Sequence, residues 1–244
     1  MKTSSTTPPF QLNILSAISI WLVVTTGSFL YLISRNNHHN GNEIRYGIVS
    51  SILFFNNLNI LIALCEIGLG KHIMLIKDDY QKLKQQYAPK KEELKAAMAY
   101  LFMPLPWDRL LDGKLWCRMW STYALYDPSY QNHETFGFFI DVGNGWSTIP
   151  PCLIMNIAMA MPQLCSPLFV GCLCLASYWQ VMYGTIIYFL SFCWNKRYQG
   201  KPLGEMVGFV GCTNGIWFVF PLIGMYACVS MLDTKDFSVF GYAS

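Results

Sequence analysis

Five stretches of this chain, residues 12–33, 46–76, 136–161, 167–194 and 206–232, are apolar over lengths that suffice to cross a bilayer. A helix needs roughly 20 such residues, at ~1.5 Å of rise each, to traverse the hydrocarbon. The pattern predicts an all-α, polytopic membrane protein: a bundle of five transmembrane helices. Composition agrees, because 53% of the residues are hydrophobic, 16% aromatic and only 13% charged, with a mean hydropathy of +0.31. Soluble domains are typically about 45–50% apolar and about 25% charged, so the chain is greasier than an ordinary soluble domain. The net charge of +3 is small, and no Lys/Arg stripe interleaves with exposed aromatics. The expected surroundings are a lipid bilayer, with no nucleic acid partner. The division expected is an N-terminal helix and loop over 1–45, a membrane domain over 46–232 and a tail over 233–244.

The first stretch exceeds the ~7 to 15 residue core of a signal peptide, and no small-residue cleavage site follows it. It reads as an anchor. The segment 77–133 is the one large polar portion, and its charged start and Pro104 and Pro106 suggest an amphipathic surface segment between helices 2 and 3, lying on the membrane. With five spans, the N-terminus, segment 77–133 and loop 195–204 share one side and carry thirteen of the seventeen Lys and Arg. The positive-inside rule makes that side cytosolic. Most cysteines, Cys65, Cys152, Cys174 and Cys228 among them, fall in apolar segments, where they act as small hydrophobes. No Cys/His spacing implies a metal. His38 and His39, in an Asn-rich loop, read as exposed side chains.

Polar residues inside the apolar stretches carry the functional signal. A carboxyl in hydrocarbon costs about 2.5 to 3.5 kcal/mol even on the lenient insertion scale, so it is normally retained for a purpose. Glu66 lies in the second stretch and Asp141 in the third, and neither has a Lys or Arg three or four residues away. In a dry site such an acid is held neutral and can donate a proton to an alkene. Asp141 and Asn144 are spaced to share a helix face, as are Asn214 with Trp217 and Gln180 with Tyr183. Helices bundled around these stripes would enclose a pocket at mid-depth for a flat hydrophobic ligand, with Thr185 and Tyr188 on other faces. Asn144, Gln180 and Asn214 also suit ordinary interhelical hydrogen bonds, worth ~0.6 kcal/mol each. Trp217 suits core packing, and beside two acids its ring could face a developing cation. The aromatic-rich stretch 120–130 reads as an interfacial belt. Lys71 is placed to snorkel, and His72 lies well around the helix from Glu66. The glycines of 143–145 and 208–211 permit close helix contacts, including with a second copy.

Four motifs in order resemble a known family. They are W-x-x-Y-x-x-x-D-x-x-Y as Trp120, Tyr123, Asp127 and Tyr130, the acid Asp141 in the following span, QVMYGTIIYF in the fourth span and TNGIWFVFP in the fifth. Together they resemble the EXPERA domain, and within it the emopamil-binding proteins, over about 59–231. The resemblance implies a five-helix protein of the endoplasmic reticulum that moves a sterol double bond from Δ8 to Δ7 through a carbocation, without a cofactor. It matches Glu66 and Asp141 to the family's acids and Asn214 with Trp217 to the pair facing the cation. The chain departs from it at Ile62, where the family has a catalytic histidine, at Asn144, where it has Thr, and at Thr185, where it has Asp.

The expectation is a diverged isomerase or cyclase for a sterol, polycyclic terpenoid or similar lipophilic metabolite. Glu66 and Asp141 would be catalytic, and Asn144, Gln180, Tyr183, Asn214 and Trp217 would bind substrate. The alternative is a non-catalytic sterol or lipid binder that uses the same pocket. A transporter fits less well, because no inverted repeat is visible.

Overall fold

The computed structural model describes residues 12–36 and 43–242 and is mostly helical. His38 and His39 lie outside the described residues. Among the described residues, four helices are long and apolar enough to cross a membrane. These are α1 (Ile14–Asn36), α2 (Glu43–Lys71), the later α9 (Pro167–Trp194) and the continuous helix Leu203–Thr234. The third apolar stretch is instead broken into α7 (Phe136–Ser147) and α8 (Ile149–Ala160). Pro150 and Pro151 occupy the first turn of α8, where their missing N–H groups are tolerated, and they bar α7 from continuing. Thr135 caps α7, its hydroxyl accepting from the Phe138 amide, and Ser166 caps α9 through the Phe169 amide.

Between α2 and α7 the chain forms α3 (Ile73–Tyr87), α4 (Glu93–Leu101), the short α5 (Gly113–Trp116) and α6 (Arg118–Tyr123). This segment was expected to lie on the membrane. It is amphipathic, but it folds back over the end of the bundle as a cap. Its apolar residues Ile76, Tyr80, Ala96, Trp120 and Tyr126 join Leu69, Tyr188 and Phe192 of the long helices in one core. Covering protein buries that face as completely as lipid would, and ion pairs fix the position. Arg118 pairs with Asp79 at 2.7 Å, Lys201 with Glu93 at 2.6 Å, and Arg197 with the fully buried Asp127 at 3.0 Å. Tyr126 donates to Glu205 at 2.7 Å; burial pushes its phenol up, so it stays a neutral donor. A two-stranded antiparallel sheet, β1 (Leu12–Asn13) with β2 (Pro104–Leu105), ties the start of α1 to the cap. Segments 77–133 and 195–204, expected to share one side of the membrane, are thus in contact.

Helix Leu203–Thr234 opens with the single turn α10 (Leu203–Glu205), widens into a π-helical segment over Met206–Cys212 and continues as α11 (Thr213–Thr234). At the end away from the cap, Ile33, Val49, Phe237 and Phe240 close the core. In the middle of the bundle the side chains of Asn56, Asn57 and Asn156 form a chain of hydrogen bonds. Asn56 Nδ2 donates to Asn156 Oδ1 (2.9 Å), Asn156 Nδ2 to Asn57 Oδ1 (3.1 Å) and Asn57 Nδ2 to Thr26 Oγ1 (3.1 Å). Tyr178 OH donates to Asn56 Oδ1 at 2.9 Å. These bonds join α1, α2, α8 and α9 without leaving an amide unpaired.

Candidate functional site

Helices α2, α7, α9 and α11 surround a cavity of about 340 Å³, roofed by α4 and α6. That is within the ~300 to 1,000 Å³ typical of small-molecule sites. Leu58, Ile62 and Glu66, one turn apart on α2, form one wall. Glu66 is 5% exposed. Next to it stands α7, held close by Gly145: a Cβ there would meet Ala63 O and Ile67 N at 2.9 Å and Glu66 Cβ at 3.0 Å. Only glycine lets the helices approach so closely, and the approach brings Ile140, Asp141 and Asn144 onto the same cavity as Glu66. Among the described residues neither acid has an ion-pair partner, and Glu66 has no hydrogen-bond partner. The Tyr130 phenol lies beside Asp141.

Helix α11 supplies the facing wall. Trp217 Nε1 donates to Asn59 Oδ1 at 2.8 Å, and Asn59 Nδ2 to Thr148 Oγ1 at 3.0 Å, so the indole nitrogen is engaged and its ring borders the cavity. Asn214 Nδ2 donates to the Val210 carbonyl and to Tyr123 OH, both at 2.7 Å. The carbonyl can only accept, which fixes the orientation of the amide. Asn214 Oδ1 is left without a protein partner among the described residues. The roof is aromatic: Trp120 stacks on Tyr130 with centroids 5.1 Å apart, Tyr123 meets Tyr130 edge-on at 5.0 Å, and Tyr123 OH is 2.9 Å from Tyr188 OH. Burial pushes the Tyr100, Tyr123 and Tyr130 phenols up, so the cap offers neutral hydroxyls rather than phenolates.

The cavity therefore gathers Glu66, Asp141, Asn144, Asn214 and Trp217. It excludes two residues expected to bind substrate. Tyr183 is 48% exposed and stacks on Trp179. Gln180 is also on the outer face, where its Nε2 donates to Asn144 Oδ1 (2.9 Å) and Ser147 Oγ (2.7 Å). The cavity face of α9 is Gly184, Thr185 and Tyr188, with Gly184 packed against Ile140. Stretch 120–130 is not an interfacial belt: Trp120, Tyr126, Asp127 and Tyr130 are buried. The acids lie toward one end of the bundle rather than at its middle. Glu66 is in the last turns of α2 and Asp141 near the start of α7, both just beneath the cap. Lys71 Nζ lies over the Trp146 ring at 5.7 Å, and His72 turns toward Gly113, away from Glu66. Gly145 packs within the chain, whereas Gly208 meets nothing among the described residues.

Sequence reasoning missed Asn59, Tyr188 and Arg197 as neighbours of the cavity. The cluster Asn56, Asn57 and Asn59 within an apolar helix was a usable signal for the first. No family model, curated protein or solved structure matches the chain.

Proposed function

We propose that the chain is a cofactor-independent membrane isomerase or cyclase. It protonates a sterol, polycyclic terpenoid or similar lipophilic metabolite and guides the carbocation that results. One observation carries this reading: two acids from adjacent helices, neither in an ion pair among the described residues, face a single apolar cavity of ligand size. Retaining two such groups is costly unless they act.

In the proposed reaction, one carboxylic acid gives its proton to an alkene carbon. The π electrons form the new C–H bond, and the adjacent carbon becomes cationic. The Trp217 ring face and the Asn214 carbonyl oxygen stabilise that charge. The second acid, as carboxylate, removes a proton from a neighbouring carbon and the double bond re-forms in a new position. The two acids have then exchanged protonation states, and a proton returned between them resets the site. If another alkene of the substrate attacks the cation before deprotonation, a ring closes instead.

In this reading α7 and α8 together make one bent pass, giving five passes in an EXPERA-type bundle of the endoplasmic reticulum membrane. The departure at Ile62 removes the family's histidine, so the proton traffic is assigned to the acid pair alone. The test is incubation of membranes containing the protein with candidate polycyclic alkenes in D2O. A protonating enzyme releases product carrying carbon-bound deuterium, and Glu66→Gln abolishes the label. Lipid retained but never labelled would make the protein a binder and remove the catalytic reading.

A further inference from the structure

The outer seam between α7 and α9 determines which way one cavity group points. Ser147 Oγ donates to the Gly143 carbonyl at 2.8 Å, so its only hydrogen is engaged. The Ser147 oxygen can therefore only accept, and the group facing it at 2.7 Å must be the nitrogen of the Gln180 amide. That same nitrogen lies 2.9 Å from the Asn144 amide, which must then present its oxygen outward. The polarity of three hydrogen bonds is thus imposed in sequence from a backbone carbonyl. It ends with Asn144 Nδ2, a donor with no protein partner among the described residues, on a residue that lines the cavity beside Asp141.

We infer that Asn144 is a hydrogen-bond donor to substrate, that Gln180 and Ser147 position it, and that the substrate bears an oxygen acceptor (ketone, hydroxyl or epoxide) close to the atoms that react. The inference rests on reading this cavity as a site for a polycyclic lipid. A plain hydrocarbon would leave the Asn144 donor buried and unsatisfied against it, whereas an oxygenated ring system satisfies it. The two walls then differ in kind. Helix α7 offers a donor next to the acids, and α11 offers an acceptor oxygen and an aromatic face. An oxygenated substrate has one preferred way to lie between them, with its oxygen toward α7 and its developing cation toward α11.

The test is a competition on the full chain in nanodiscs. The probes are 5α-cholestane and a panel of 5α-cholestanones with the ketone at different ring positions. The discs are re-purified and retained lipid is measured by mass spectrometry against protein-free discs. The native protein should enrich at least one ketone over cholestane by roughly threefold to tenfold, the yield of one neutral hydrogen bond. Asn144→Leu should bring that ratio close to one while total lipid retained stays the same. Ser147→Ala, outside the cavity, should lower the ratio in part by freeing the Gln180 amide to turn. A merely structural role would reduce retention of ketone and hydrocarbon alike. Equal retention on the native protein, or enrichment that survives both substitutions, overturns the donor assignment alone. Retention of neither probe above protein-free discs overturns the cavity reading with it.

Discussion

In the middle of the bundle, Asn56, Asn57, Asn156 and Tyr178 engage one another until no amide remains unpaired. Two to three turns nearer the cap along α2, Glu66 keeps a polar atom turned to empty space, as do Asn144 and Asn214 beside it. Both layers put polar groups where apolar ones would be cheaper. The closed layer joins four helices and leaves nothing for a ligand, whereas the open layer gives up part of its own hydrogen bonding so that a guest completes it. Within one membrane protein, a buried polar residue is best judged by which of its atoms lack a partner.

That contrast can be broken most sharply at the acids. Glu66→Gln keeps shape and removes the proton, so turnover should fall about 10²- to 10⁴-fold, read as deuterium incorporated into product, with the melting temperature in detergent nearly unchanged. Gly145→Ala should act on both folding and chemistry. Its methyl would press on backbone atoms of α2 that cannot step aside, costing about 1 to 3 kcal/mol and shifting Asp141 relative to Glu66. A melting curve together with an assay on the surviving folded fraction separates the two effects.

Asn156→Leu tests the closed layer. It leaves Asn57 Oδ1 without its donor and should destabilise the bundle by about 1 to 3 kcal/mol, yet turnover per folded molecule should not change. If turnover fell with stability, the two layers would not be separable in function. The smallest effect belongs to Lys95→Ala, which removes an exposed ion pair with Glu92 on the cap. Such pairs contribute little, and neither melting nor turnover should move measurably.

Glu66 and Asp141 were legible in the sequence because a carboxyl without a local cation stands out in an apolar run. Asn214 and Trp217 were legible through their shared spacing. Gln180 and Tyr183 were not, because α9 carries polar groups on two faces and only the contact of Gly184 with Ile140 selects one. The cap was hidden for a different reason. An aromatic-rich segment has the same composition whether it lies on lipid or folds over protein. What decides here is the bond between Asp127 and Arg197, far apart along the chain. Helix length was read too generously at residues 136–161, where Pro150 and Pro151 mark the break.

The π-helical turn at Met206–Cys212 gives the facing wall an unusual genetic tolerance. Wide turns of this kind hold an extra residue relative to a regular helix, whereas in a regular helix each residue gained or lost rotates everything beyond it by about 100°. A one-codon deletion in that stretch would therefore tighten the wide turn into a regular one and leave Asn214 and Trp217 close to their places. The same deletion in the regular helix between the wide turn and Trp217 would swing Trp217 out of register with the chamber.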